Sequence, residues 1–263
     1  MWVEPGARYG KKYRGWFWSI SFLEQMGADP RDRRVQRACE YVLTHGQAPG
    51  GGFGWSTADS GVVHCLTGNT LRALIAFGRL DDERVRRAVA WEAGAITGVG
   101  HERWQPSATT GPGFGCAVNG ELPCAWGAVK ALRALAAIPP RRRTASVRAA
   151  IDRGVAFLLS RDPALADYPT DTRVSRTWFK LGFPSGYMAD VLQNLEVLAE
   201  LGHAKDARLA NAVGFVLSKQ DAHGRWRNEY PYRGRLWSDV DRPRSPSKWV
   251  TLRACALLKR SIG

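Results

Sequence analysis

The sequence predicts an all-α protein in which wet outer helices alternate with enclosed inner helices, and three observations predict it. Four segments share one plan: an apolar helix ends, a short turn follows, and a basic amphipathic helix begins. The helices after the turns carry apolar stripes at 3.6-residue spacing, whereas those before the turns are apolar on most sides. Strand signals are nearly absent. Helix pairs of this kind close around a common axis or stack as a solenoid.

The four segments are FLEQMGADPRDRRV from Phe22, LIAFGRLDDERV from Leu74, ALAAIPPRRRTASV from Ala134 and VLAELGHAKDARL from Val197. Their turn residues are Gly27, Gly78, Pro139 and Gly202. Glycine past a helix end accepts the left-handed stop, and proline cannot continue a helix. The outer stripes are Val35, Ala38, Cys39 and Val42; then Val85, Ala88 and Val89; then Val147, Ala150, Ile151, Val155 and Leu158; then Leu209, Ala212, Val213, Val216 and Leu217. The inner helices are expected around 15–26, 71–77, 129–137, 191–201 and 249–258, giving five inner and four outer helices in one domain over 1–263. The first inner helix, after Tyr13-Arg14-Gly15-Trp16-Phe17-Trp18, has no outer helix before it, so the first repeat is expected to be truncated.

Composition narrows the function classes. A chain of 263 residues with 44% hydrophobic residues can fill one core, and eleven Trp can pack it or line an apolar cavity. The net charge of +14 brings a polyanionic partner into view. The basic residues fall on outer helices and connections, as in Arg141-Arg142-Arg143, which reads as a solvated outer face. Peripheral contact with an anionic membrane, or with a diphosphate, ranks next. Nucleic acid ranks third, because no zinc-finger, RRM, KH or homeodomain pattern is present. No secretory signal and no uninterrupted apolar span is visible, which points to a cytoplasmic location, with membrane association at most peripheral. Five cysteines without an export signal point to reduced thiols or metal ligands.

Two connections carry a further frame. Gln220-Asp221-Ala222-His223-Gly224-Arg225-Trp226 fits Q-x-x-x-G-x-W, and Gln47 to Phe53 fits it with Phe in the last place. The frame resembles the QW motif of squalene–hopene cyclases. The segment Pro246-Ser247-Lys248-Trp249-Val250-Thr251-Leu252 is similar to the final inner helix of bacterial prenyltransferase and squalene-oxidase repeat proteins. The resemblance covers nearly the whole chain. It implies an α/α toroid and a polyprenyl or other apolar small molecule bound in the toroid lumen; a complete ring needs more helices than this chain offers, so either the ring is open or the chain is a shortened member. If the chain is an enzyme, the resemblance implies a terpene cyclase or prenyltransferase-like one. The alternative is a non-catalytic helical-repeat scaffold stapled by zinc.

The candidate metal ligands are Cys65, Cys116, Cys124 and His64. Cys65 and Cys124 each open an inner helix in a C-x-x-G frame, and Cys116 lies in the Gly-rich loop just before Cys124. Helix N-termini favour the thiolate that Zn2+ requires, and a tetrahedral site needs a fourth ligand. His64 is the first choice for it, His101 the second and water or substrate the third. The competing reading makes Cys65 and Cys124 small helix-start residues. Cys39 and Cys255 fall on apolar helix faces and read as packing. Protein prenyltransferases use a D-x-C pair in their zinc site, which this chain lacks.

Squalene cyclases protonate an alkene with D-x-D-D. The near match is Asp239-Val240-Asp241-Arg242, and Asp239 and Asp241 are candidate acids. Asp190, at the start of an inner helix, is another; its plainer reading is a carboxylate complementing the helix dipole. Asp81 and Asp82 start an outer helix and should cap it. Trp16, Trp18, Trp126, Trp178, Tyr187 and Trp249 are candidate walls of a prenyl pocket, with core packing as the competing reading. Arg176, Lys180 and Lys248 could meet a diphosphate. No P-loop, Rossmann, zincin or nucleophile-elbow motif is present, so no nucleotide cofactor is expected.

Overall fold

The computed structural model describes residues 12–100, 110, 112–242 and 245–263. Among them lie nine α-helices and no strand. In chain order they are α1 (Trp16–Gln25), α2 (Arg33–Gly46), α3 (His64–Ala76), α4 (Glu83–Thr97), α5 (Ala125–Ala136), α6 (Ala145–Leu158), α7 (Val191–Glu200), α8 (Ala210–Ser218) and α9 (Lys248–Ser261). None of the described helices is long and apolar enough to cross a membrane.

The outer helices begin where a side chain can accept from their unpaired first amides. Asp32 accepts from the Arg34 amide, Asp82 from that of Arg84 and Thr144 from that of Val147. Asp206 caps the short 3-10 turn Ala207–Leu209 that leads into α8. In three of these starts the same aspartate also pairs with the guanidinium two residues on, in Asp32–Arg34, Asp82–Arg84 and Asp206–Arg208. Part of the basic surface therefore carries its own counter-charge.

The enclosed helices stop at Gly27, Gly78 and Gly202, which have φ of +72°, +81° and +96°. A Cβ at any of the three would touch nothing within 4 Å, so left-handed backbone rather than crowding accounts for the glycine. α5 stops instead ahead of Pro139 and Pro140.

Sequence order becomes spatial order. α3 packs between α1 and α5, α5 between α3 and α7, and α7 between α5 and α9. α2, α4, α6 and α8 lie against α1, α3, α5 and α7 in turn, and α4 also packs on α6. The closest approach is α3 to α5. There Gly68 faces the Lys130 backbone so tightly that a Cβ would lie 2.4 Å from its carbonyl carbon. The periodic outer stripes are buried, as Val35, Cys39 and Val42 show for α2, except that Ala38 is half-buried and Leu217, at the end of the last stripe, is exposed. α9 departs from the expectation of an enclosed last helix. It packs on α7 and α8, but Leu252 on its other face is 65% exposed, and Cys255 is exposed rather than packed.

The loops leading into α3, α5 and α9 are braced by isolated antiparallel bridges. They pair Gln47 with Phe53 and Gly54 with Val62, Thr110 with Cys116 and Gly115 with Pro123, and Arg227 with Pro246. Gln47 Nε2 donates to the Gly51 carbonyl at 2.8 Å and to the Arg84 carbonyl at 2.7 Å, tying the end of α2 to the first turn of α4. Phe53, in the last place of that frame, is fully buried, which contributes about 2 to 3 kcal/mol. In the second frame Trp226 is fully buried and its indole N–H donates to the Val216 carbonyl on α8 at 2.7 Å. Its polar edge is thereby satisfied inside the core.

Candidate functional site

The starts of α3 and α5 frame a cavity of about 340 Å³. Cys65 reaches it from the first turn of α3. Cys124, the N-cap of α5, reaches it from the neighbouring helix, with its sulfur accepting from the Gly127 amide at 3.5 Å. Cys116 reaches it from the loop between them. The three cysteines that the sequence groups by helix-start position and loop spacing thus line one hollow. Trp126, Trp178, Tyr187, Val63 and Leu66 supply apolar wall, and Arg173 is the cation among its lining residues.

The loop holding Cys116 is fastened from several sides. The Cys116 amide donates to the Leu122 carbonyl at 3.2 Å, and the Cys124 amide donates to the Phe114 carbonyl at 2.8 Å. Asn119 Nδ2 reaches the carbonyls of Leu122, Pro123 and Pro169, the last at 3.0 Å. Phe114, Gly120 and Glu121 all take positive φ to make the turns. For the two non-glycine residues this conformation costs about 1 kcal/mol or more each, which the surrounding hydrogen bonds offset.

The three thiols differ in their chemistry. The neighbouring Cys124 side chain, and then the backbone N–H groups of Val118 and Asn119, hold Cys116 below the usual thiol range against the effect of burial. The neighbouring Cys116, with burial, pushes Cys124 well up. Burial, then the neighbouring Cys116, pushes Cys65 up to about 12. Cys39, buried under α2, is pushed up to about 11 by desolvation.

His64 opens α3 but turns away from this hollow. Its Nδ1 lies 2.5 Å from Glu92 Oε1 on α4, with both side chains buried. Its ring packs against Phe114 and Trp91, with centroids 5.4 Å and 5.9 Å away. Its Nε2 is buried and makes no hydrogen bond. A carboxylate on one ring nitrogen fixes the tautomer of the other, as it does around metal-bound histidines. Even so, among the described residues no group of three or more His, Cys, Asp or Glu is disposed to hold a metal ion. His101 lies outside the described residues.

The candidate acids occupy three different settings. Asp190 is buried and caps α7: one oxygen accepts from the Gln193 amide at 2.8 Å and the other from the Gly182 amide at 3.0 Å. Burial raises its pKa, while the nearby Arg253 guanidinium and the two amides work in the opposite direction. Asp241 accepts from Asn228 Nδ2 at 2.7 Å and Ser247 Oγ at 2.9 Å, fastening the connection that leads to α9. Asp239 is exposed and accepts from the Gly234 amide at 2.9 Å. Asp82 caps α4, as its position predicts.

The six aromatic candidates also divide. Trp16 and Trp18 are core residues: Trp16 fits beneath Gly46, and Trp18 sits among Tyr13, Phe17 and Tyr187. Trp126, Trp178 and Tyr187 line the thiol cavity. Trp249 lines a second, larger cleft of about 590 Å³ between α1 and the start of α9. There its ring stacks on Phe183 at 4.8 Å with an 11° interplanar angle. Phe22 and Leu23 of α1, with Met26 at its C-cap, line the cleft along with Pro184 and Val240, and Lys248 and Asp239 are its charged lining residues. Arg176 and Lys180 are exposed and line neither hollow.

The apolar reading of α5 conceals a further polar centre. Lys130 is fully buried, and its Nζ donates to Ser185 Oγ at 2.8 Å and Gln193 Oε1 at 2.7 Å. Burial first, and the positive charge of Arg133 next, lower its pKa well below the usual lysine value. Arg253 of α9 reaches the same region, pairing with Glu196 at 2.6 Å and donating to the Gly182 carbonyl at 2.9 Å. No spacing rule marks Lys130; its only sequence signal is a lone cation inside an apolar inner helix.

No family model matches the chain, and no curated protein matches it.

Proposed function

We propose that the chain binds a long apolar ligand of the polyprenyl class in the cleft between α1 and the start of α9. We further infer that its helix pairs belong to an α/α toroid of the squalene cyclase and prenyltransferase kind. The observation that carries the binding reading is the cleft itself. Its volume of about 590 Å³ falls within the range of small-molecule sites, and its walls are mainly aromatic and aliphatic. Lys248 Nζ lies 4.9 Å from the Trp249 ring centroid, which suits a ligand with an apolar tail and an anionic head. The toroid reading is supported by the order of the enclosed helices and by the two Q-x-x-x-G-x-[WF] connections that brace it. The basic surface, with its net charge of +14, is compatible with collecting such a ligand at an anionic membrane.

The same geometry favours holding over transforming. Asp190 has both oxygens engaged by backbone amides, Asp241 has one oxygen held by Asn228 and Ser247, and neither lines the cleft; Asp239, which does line it, is exposed and accepts from the Gly234 amide. A non-catalytic helical scaffold is therefore the second reading, favoured by the filled interior around Trp18, Lys130 and Gln193.

Thermal shift with geranylgeranyl diphosphate and with geranylgeraniol tests both. Binding at the cleft raises Tm in wild type and in Trp126→Ala, whose change lies in the other hollow, and loses the shift in Leu23→Arg and Trp249→Ala. Denaturing extraction followed by mass spectrometry should release an isoprenoid or similar lipid from the purified chain. No shift together with empty extracts leaves the scaffold.

A further inference from the structure

We infer that a third hollow, at the end of the helix row opposite the thiol cavity, binds a small organic monocarboxylate with its carboxylate on Arg133. The hollow measures about 350 Å³ and lies against the C-terminal halves of α1, α3, α5 and α7 and along α9. The reasoning uses neither the apolar cleft nor the thiols.

Four arginines line this hollow, Arg72, Arg133, Arg253 and Arg260, against three glutamates, Glu24, Glu196 and Glu200, an excess of one positive charge. Two of the arginines hold all three carboxylates. Arg72 reaches Glu200 at 2.8 Å and Glu24 at 3.3 Å. Arg253 grips both oxygens of Glu196, at 2.8 Å and 2.6 Å. Arg260, near the end of α9, is exposed to water. Arg133 is placed differently. It is half-buried in the last turn of α5, and among the described residues its guanidinium has no hydrogen-bond or ion-pair partner.

A guanidinium carries five N–H donors, and withdrawing them from water without an acceptor is costly. The ordinary role for Arg133 is to complement the negative end of α5. That role needs charge alone and leaves the donors unmet. The neighbouring arginines show the contrast. Burial opposes the charge of Arg72 and Arg253, but the glutamates beside them raise both pKa values. At Arg133 burial prevails and holds the pKa below the usual arginine value. Arg72 Nη1 also donates to the Arg133 carbonyl at 2.9 Å, which fastens a second cationic side chain to this end of α5.

Charge and shape choose the ligand. One negative charge brings the hollow to neutrality, whereas a phosphate dianion overshoots it beside three carboxylates. A planar carboxylate matches the guanidinium fork. Glu196 on Arg253 displays the same pairing within the hollow. Phe183, Leu252 and Leu257 offer apolar wall to a short aliphatic or aromatic body.

The test titrates the full ¹⁵N-labelled chain with sodium benzoate at low, constant ionic strength and follows the arginine Nε–Hε signals. Arg133 is assigned from the signal that Arg133→Lys lacks. Benzoate should shift it along a saturable curve. Benzamide, which keeps the shape without the charge, should bind about tenfold more weakly or worse, as should inorganic phosphate. Arg133→Lys keeps the charge but loses the fork, and should weaken benzoate by a similar factor, read on the Arg72 and Arg253 signals. Trp249→Ala should bind benzoate as wild type does, and Arg133→Lys should keep the prenyl thermal shift, so failure at one hollow is distinguishable from failure at the other. The inference fails if the Arg133 signal does not saturate, or if benzamide equals benzoate, which would leave an apolar hollow alone. It fails too if phosphate equals benzoate, or if the exposed arginines shift in step with Arg133. The wild-type titrations decide the matter even where a variant does not fold.

Discussion

The thiol cavity and the apolar cleft are two hollows in one helical protein, built on opposite plans. The smaller one is framed by two helix starts, α3 and α5, whose backbones meet at Gly68. Its functional atoms sit at a helix cap, in a first turn and on a bridged loop. The larger one lies between α1 and the 236–249 region, with Phe22, Leu23 and Trp249 among its lining residues. Rigid elements hold reacting atoms to the tolerance that chemistry needs, whereas side-chain walls adapt to a tail of variable shape. The contrast suits the second hollow, rather than the first, to holding the proposed apolar ligand.

The largest expected effect tests the rigid side. Gly68→Ala pushes a Cβ into the Lys130 backbone and should cost about 3 kcal/mol or more in urea unfolding. Prenyl binding should persist in whatever chain remains folded. A loss below about 1 kcal/mol would break the comparison, because α3 and α5 would then separate as easily as the cleft walls.

Lys130→Met sharpens the comparison from inside the same helix pair. A buried cation without a carboxylate in direct contact is expensive, so the variant should be more stable than wild type near pH 6, by about 1 kcal/mol after the loss of two hydrogen bonds. The sign of the pH dependence follows from the lowered pKa. Between the folded value and the ordinary 10.5 the unfolded chain holds the extra proton, so wild type gains on the variant as pH rises through that window. Paired urea midpoints across pH check it; a constant difference would mean that Lys130 titrates normally.

The smallest effect is a control on an outer helix. Thr144→Ala removes the cap of α6 and should cost about 1 kcal/mol in the same urea assay. Prenyl binding should stay at the wild-type level, and a change in it would show that the outer layer reaches into the cleft.

The helical plan was legible because each outer helix repeats its signals locally: an acid or hydroxyl cap, then a stripe such as Val35, Cys39 and Val42. The meeting of Cys65, Cys116 and Cys124 was legible for a related reason, since equivalent helix starts in adjacent repeats lie side by side. The cleft was harder to read. Leu23, Pro184, Val240 and Trp249 come from four distant parts of the chain, and only packing brings them together. Lys130 escaped because a single cation in an apolar run reads equally as a side chain stretching to water. Cys255 misled for the converse reason: periodicity finds an apolar face, but α9 lacks an inner-helix neighbour of the kind that covers the corresponding face elsewhere in the row.

The turns at Gly78 and Gly202 also bear on how a chain of this design can change in evolution. They require left-handed backbone, yet a side chain there would displace no neighbour. The α3 turn stands a helix length of 13 residues, about 20 Å, from Cys65. Lineages can therefore lengthen, shorten or decorate these corners while the thiols at the other end stay in register. Variation between relatives should concentrate at the corners first, long before it reaches the bridged loops.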